Sequence, residues 1–139
     1  MNLDFNVKGI ILYFSTWLSF IFGEFDKFLQ VLIILMIIDY ITGILAGFYF
    51  KELSSKKSFK GIIKKFFLLT IVSLSKMIDE ILGGNGLIRS TILLFFISTE
   101  GLSILENSIK FGVPVPKWLT EKLEQLRNDN ENKNISTKK

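Results

Sequence analysis

Apolar residues along the chain fall into long runs that short polar segments separate. Residues 28–50 form a run of 23 residues with one charge, and a transmembrane helix needs about 20 predominantly apolar residues. Residues 62–82 and 87–111 form two further runs, which the turn-forming sequence GGNG separates. The pattern predicts an all-α integral membrane protein with three transmembrane helices.

The N-terminal segment, residues 1–27, contains a further apolar stretch whose role the pattern leaves open. Residues 9–22 are 14 apolar or weakly polar residues, which is short for a span. They could form an interfacial helix, a re-entrant segment or a fourth span. We expect an amphipathic or partly inserted helix. The sequence GEFDKF follows without a small-residue cleavage site, so we expect no secretory signal peptide.

The sequence after the third run predicts a short helix and then an unstructured tail. The motif GVPVP at residues 112–116 would interrupt a helix. Three leucines with the spacing i, i+4 and i+7 predict a short helix over residues 117–127. The polar, low-complexity remainder is expected to be disordered. We therefore divide the rest of the chain into a transmembrane domain, residues 28–116, and a charged tail, residues 117–139.

The basic residues predict the orientation of the helices. Residues 51–65 contain six Lys and one Glu, and short loops rich in Lys face the cytoplasm. Three spans then place the C-terminal tail in the cytoplasm too. The flanking apolar runs and the lack of interleaved aromatic residues disfavour a nucleic-acid partner, so we expect this loop to face anionic lipid. The lysines of the loop that follow Lys51 are Lys56, Lys57, Lys60, Lys64 and Lys65.

The composition removes most catalytic chemistry. Histidine and cysteine are absent, and with them the commonest general base, the commonest zinc ligand and thiolate chemistry. The chain also lacks the phosphate-binding, serine-hydrolase and metalloprotease motifs. We expect no enzymatic activity, no cofactor and no metal site.

Three charged residues lie inside the predicted spans. Asp39 lies near the middle of the first span, Lys76 in the second and Glu100 in the third. A charge at the bilayer centre costs about 3 kcal/mol on insertion scales. A protonated carboxyl, a cation on a neighbouring helix or water in a pore would each offset this cost. The candidate arrangements for Asp39 are therefore a pair with Lys76, an aqueous path in an oligomer and a proton relay.

Small and polar residues mark two helix faces. Gly43, Ala46 and Gly47 share the helix face of Asp39, and the Gly-x-x-x-Gly spacing lets helix backbones approach closely. In the third span, one polar face is formed by Glu100, Ser103, Glu106, Asn107 and Lys110. That face is either the end of a helix leaving the membrane, or a surface hidden in a bundle or lining a pore.

Four blocks of the sequence resemble the bacteriophage holin family that includes the clostridial toxin-secretion holins. The blocks are IIDYITGILAG at 37–47, SSKKSFKGIIKK at 54–65, IDEIL at 78–82 and STEGLSILENSIKFGVPVPKWL at 98–119. The positions that carry the resemblance are Asp39, Gly43, Ser54, Gly61, Lys65, Asp79, Glu100, Ser103, Ile104, Asn107, Gly112, Pro114 and Pro116. The last block is the most specific of the four.

The resemblance implies a small, non-enzymatic protein of the bacterial inner membrane. Such proteins accumulate, form homo-oligomers and open lesions at a timed moment, which releases an endolysin or, in some toxin loci, a large toxin. Asp39, Lys76 and Glu100 would then be the polar determinants of assembly, with Gly43 and Gly47 as packing positions. Two other functions remain open: a small ion-channel subunit, and an antiholin or membrane-anchored regulator that restrains a partner.

Overall fold

The chain folds into α-helices joined by short turns. A computed structural model describes residues 3–23 and 25–136, with side chains for residues 7–23 and 25–129. Within these ranges there are five helices and no strand, which agrees with the predicted all-α class. The helices are α1 (Leu3–Phe22), α2 (Lys27–Tyr49), α3 (Ser55–Ile81), α4 (Leu87–Lys110) and α5 (Lys117–Ser136).

Helices α2, α3 and α4 form a bundle in which α4 is central. It has its most extensive contact with α2, and it also packs against α3 and α5. Helices α2 and α4 run in the same direction, because Asp26 before α2 is bonded to Arg89 at the start of α4, and Tyr49 at the end of α2 stacks near Phe111 after α4. Helix α3 runs between their ends in the opposite direction.

The hydrophobic core lies in the half of the bundle near the start of α2 and α4. Its spacing along each helix is that of a single helix face turned inward. The buried residues of this core are Leu29, Leu32, Met36, Leu68, Val72, Leu93 and Phe96. The other half of the bundle, near the α2–α3 turn, is packed around polar side chains instead.

Most of the remaining large apolar side chains point outward. Those of α2 include Ile34, Ile37, Ile41, Leu45 and Phe48, all at least half exposed. An apolar surface this extensive is rare on a soluble monomer and suits contact with lipid. Of the described helices, α2 and α4 are long and apolar enough to cross a membrane, which supports a membrane protein with at least these two candidate spans.

Helix α3 begins earlier than the sequence predicted. The lysine-rich segment 51–65 was expected to be a loop, but the helix starts at Ser55 and includes five of its lysines. Lysine has good helix propensity, and no Gly or Pro interrupts the segment before Gly61. The connection between α2 and α3 is therefore only a short turn, in which Lys51 adopts a positive φ of 56°.

The two terminal helices also differ from the predicted pattern. Helix α1 is longer than the apolar stretch at residues 9–22. Most of its described side chains are exposed, and Tyr13 is 82% exposed. Helix α5 continues through Ser136, so residues 128–136, expected to be disordered, are helical. Helix α5 packs along α4 at Gly101, where an added Cβ would lie 3.2 Å from Leu123. Residues 137–139 lie outside the described part of the chain.

Candidate functional site

Three charged side chains from three helices meet in the polar half of the bundle. Lys65 of α3 places its Nζ 2.8 Å from Oδ2 of Asp39 on α2, and the same ammonium donates a hydrogen bond to Oε2 of Glu100 on α4. We call Asp39, Lys65 and Glu100 the triad. Each helix has one end near the α2–α3 turn, and each of the three residues lies ten residues from that end. That distance is about 15 Å of helix, so the three side chains are level with one another.

The triad is buried and its charges do not balance. The Glu100 side chain is 1% exposed, and those of Lys65 and Asp39 are 15% and 19% exposed. One ammonium faces two carboxylates, and Oε1 of Glu100 has no hydrogen-bond partner among the described residues. A buried acceptor left without a partner is costly. Oε1 of Glu100 can therefore accept a further hydrogen bond.

Two neutral side chains extend the triad along α2 and α4. The Asn107 amide donates to Oγ1 of Thr42 at 3.1 Å and lies 3.5 Å from Oδ1 of Asp39. Gly43 lies beside this amide, and a Cβ added there would meet the amide nitrogen at 3.8 Å, an ordinary van der Waals contact. The polar face predicted for the third span is thus turned inward at Glu100 and Asn107. Thr42 was not predicted, although its position three residues after Asp39 places both on one helix face.

Of the arrangements considered for Asp39, the pair with Lys76 is not present in the structure. Lys76 lies eleven residues beyond Lys65 on α3, which is about 16 Å along the helix. Its ammonium instead donates to the carbonyl oxygen of Phe20 at 2.7 Å and pairs with Glu80 at 2.8 Å. A cation near the last carbonyls of a helix is favourable, so Lys76 secures the end of α1 to α3.

A second charged cluster, which sequence reasoning missed, lies at the opposite end of the bundle. Arg89 donates to the carbonyl oxygen of Phe22 at 2.8 Å and pairs with Asp26 at 2.6 Å. Partial burial raises the pKa of Asp26, but hydrogen bonds from the Leu29 amide and the Arg89 guanidinium outweigh it and hold the pKa below its ordinary value. The buried carboxylate of Asp79 accepts a hydrogen bond from the backbone N–H of Arg89 at 2.7 Å. These contacts fix the starts of α2 and α4.

A cavity of about 670 Å³ opens between α2, α3 and α4 next to the triad. We call it the basic cavity, because lysines among its lining residues outnumber carboxylates four to two. The charged residues that line it are Lys57, Lys64, Lys65, Lys110, Asp39 and Glu52. Lys56 and Lys60, which the sequence grouped with the others, are exposed elsewhere on α3 and do not line it.

The other positions singled out in the sequence have separate locations. Ala46 is buried, and Gly47 lies against Leu53 of the α2–α3 turn rather than against another helix. Ser103 is half-buried on α4, and Gly112 ends α4 with a φ of 75°, which favours glycine. Pro114 and Pro116 are exposed in the α4–α5 connection. None of these positions joins the triad.

Within the described residues, no group of three carboxylates is close enough to hold a metal ion. The two carboxylates of the triad are already bonded to one ammonium. The observed interactions at the site are ion pairs and hydrogen bonds.

Comparison with known proteins places the chain in a family. The sequence model described as the bacteriophage holin family matches residues 16–128. A probable holin of Bacillus phage phi105 is 37% identical over 83% of this chain and 84% of its own. The Listeria monocytogenes protein Lmo0128 is 42% identical over 81% of each chain, and a 14.9 kDa protein of Clostridium perfringens is 38% identical over 91% of this chain and 97% of its own. No solved structure matches the chain. The comparisons confirm the resemblance noted in the sequence: the chain belongs to the bacteriophage holin family.

Proposed function

We propose that the chain acts as a holin. It accumulates in the bacterial inner membrane, associates into homo-oligomers and opens lesions through which an endolysin, or a large toxin, leaves the cytoplasm. Membership of the holin family and the similarity to a probable phage holin support this role. The exposed apolar surfaces of the helices support insertion in a membrane. The action we propose is non-enzymatic, as the family suggests.

The triad is the observation that carries the proposal. Charged groups inside a membrane are tolerated when they pair with one another or face water. In a single copy, Lys65 is bonded to both Asp39 and Glu100, so most of this polarity is hidden from lipid. The unpartnered oxygen of Glu100 leaves the pairing incomplete. Separating α3 from α2 and α4 would expose three charges, which other copies or water would then have to stabilise.

The proposed topology has three membrane-crossing helices. Helices α2, α3 and α4 cross, and α1 lies in the interface against α3. The lysine-rich start of α3 and helix α5 lie on the cytoplasmic side. The excess of lysine at the α2–α3 turn supports this orientation, because short basic loops are retained in the cytoplasm.

Controlled expression in a bacterium tests the proposal. The culture carries an endolysin without an export signal, and turbidity and membrane potential are followed after induction. We expect a delay, then a sudden loss of potential and lysis. Asp39→Asn should shift the time of lysis, because it leaves one carboxylate for one ammonium in the triad. Asp129→Asn makes the same chemical change at an exposed position on α5 and should keep the wild-type time.

Other outcomes would point to the remaining functions. A gradual, ion-selective loss of potential without endolysin release would replace the holin with a channel subunit. If the chain delays the lysis that a second, co-expressed holin produces, its function is that of an antiholin. Identical lysis times for wild type and Asp39→Asn would remove the triad from the mechanism. Cross-linking in membranes before lysis should give a ladder of oligomers, and a monomer throughout would contradict assembly.

A further inference from the structure

The basic cavity is a half-open cleft, and three of the lysines that line it are exposed. Of its four lysines, Lys65 is committed to the triad. Lys57, Lys64 and Lys110 have no ion pair or side-chain hydrogen bond to any described residue. The lining residues contain two carboxylates, Asp39 and Glu52, against the four lysines. The cavity therefore carries a net positive charge that attracts an anion.

The sequence of α3 places Lys57 and Lys64, although exposed, on the helix face that lines the cavity. Ser54, Lys57, Ser58, Gly61 and Lys64 follow the spacing i, i+3, i+4, i+7 and i+10, so they share one helix face. This face lines the cavity, and it supplies two hydroxyl groups beside the two lysines. The Ser54 side chain does not cap α3, so the first-turn amides add donors at the same place.

Part of the cavity wall is apolar. Ile44, Ala46, Phe50 and Leu53 line it, and it continues into the outward apolar surface of α2. A site that joins lysines to an apolar wall fits a ligand with an anionic head and hydrocarbon chains. Pockets of about 300–1,000 Å³ hold small ligands, and this cavity of about 670 Å³ falls in that range.

We propose that the basic cavity binds the phosphodiester headgroup of an anionic glycerophospholipid, with Lys57, Lys64 and Lys110 as the binding cations. The acyl chains lie along the apolar wall formed by α2. The inference rests on the membrane insertion that belongs to the proposed function. The inference adds a specific lipid site to that function, because Lys57, Lys64 and Lys110 line one cavity, whereas Lys56 and Lys60 do not.

The test uses the purified full-length chain in nanodiscs of phosphatidylcholine. Binding of phosphatidylglycerol is measured by titration with a fluorescent analogue and by native mass spectrometry of the retained lipid. We expect wild type to retain phosphatidylglycerol in preference to phosphatidylcholine. Each lysine near an anionic lipid contributes about fivefold in affinity, so Lys57→Gln with Lys64→Gln should weaken binding about 25-fold.

Two matched variants keep the test sharp. Lys56→Gln with Lys60→Gln removes the same charge from the same helix outside the cavity and should change affinity less than twofold. Lys110→Gln removes a cavity lysine from α4 and should weaken binding about fivefold, which repeats the test if the α3 variant fails to fold. Helix content by circular dichroism is compared for all variants.

Three results would overturn the inference. If the Lys57→Gln/Lys64→Gln and Lys56→Gln/Lys60→Gln variants weaken lipid binding equally, the effect is a general attraction between a basic surface and anionic lipid. Equal retention of the two lipids by wild type would remove the site. Displacement of bound lipid by millimolar inorganic phosphate or glycerol phosphate would make a free phosphate ester the ligand. If the protein lyses cultures but shows no preference between the two lipids, this inference alone is overturned. If the protein fails to enter the membrane, the proposed function is overturned as well.

Discussion

Replacing Lys65 by Met should destabilise the bundle strongly, because it removes the one cation of the triad. Methionine keeps the length of the side chain but leaves Asp39 and Glu100 as neighbouring carboxylates without a cation. Breaking a buried ion pair by removing one partner costs about 3–5 kcal/mol. We expect the lower end, about 3 kcal/mol, because Asp39 is 19% exposed and water can reach it.

The free energy of unfolding is measured for the purified protein in mild detergent, by titration with sodium dodecyl sulfate and circular dichroism. Lys60→Met is the control, since Lys60 is exposed on the same helix and should change this free energy by about 0.5 kcal/mol or less. Combining Lys65→Met with Asp39→Asn and Glu100→Gln should recover most of the loss, because no buried charge remains. The reasoning fails if the Lys65→Met and Lys60→Met variants have the same free energy of unfolding.

Four further substitutions test other contacts, with the same unfolding assay unless stated. Asp79→Ala removes the acceptor for two first-turn amides of α4 and should cost about 1–2 kcal/mol; an unchanged value would deny it a capping role. Asn107→Ala should cost about 0.6 kcal/mol, the average for hydrogen bonds between membrane helices, and no more than about 1.7 kcal/mol; a larger loss would mean that the amide also stabilises the triad. Gly112→Ala places a Cβ at a φ of 75° and should cost about 1 kcal/mol, whereas a gain would contradict that conformation. Arg89→Gln should raise the pKa of Asp26 from below 3.8 in a carboxyl NMR titration. Ionised Asp26 stabilises the fold above its ordinary pKa, and this contribution is lost as the pH falls through the lower pKa of the folded state; a pKa unmoved by the substitution would exclude the guanidinium as its cause.

The long apolar helices were predictable from the sequence because charged residues and turn sequences mark their ends. The runs 28–50 and 87–111 correspond to α2 (Lys27–Tyr49) and α4 (Leu87–Lys110) within two residues at each end. The start of α3 was not predictable from charge, since a lysine-rich segment suits both a loop and a solvated helix. The helix at residues 128–136 was missed for a similar reason: polar composition indicates exposure, not the absence of a helix.

The site was predictable in its acids and not in its cation. Asp39 and Glu100 stand out because each carboxylate interrupts an apolar run. Lys65 belongs to the basic segment 51–65 at the edge of the predicted second span, so the sequence favoured Lys76 as the buried cation of that span. Once α3 begins at Ser55, helix geometry alone makes Lys65 level with both acids. A single helix boundary therefore determined which pair was predicted.

In the proposed topology, helix α3 is the least apolar of the three crossing helices. After Lys65, residues 66–81 span 16 residues, or about 24 Å of helix, while the hydrocarbon of a bilayer is about 30 Å thick. A crossing by α3 would therefore draw lysines from its first half into the bilayer. Lys64 can extend its ammonium toward the interface, but Lys65 is held in the triad, level with Asp39. Charges at that depth are tolerated when they pair or face water, which links the buried charge of α3 to the assembly that the proposed lesion requires.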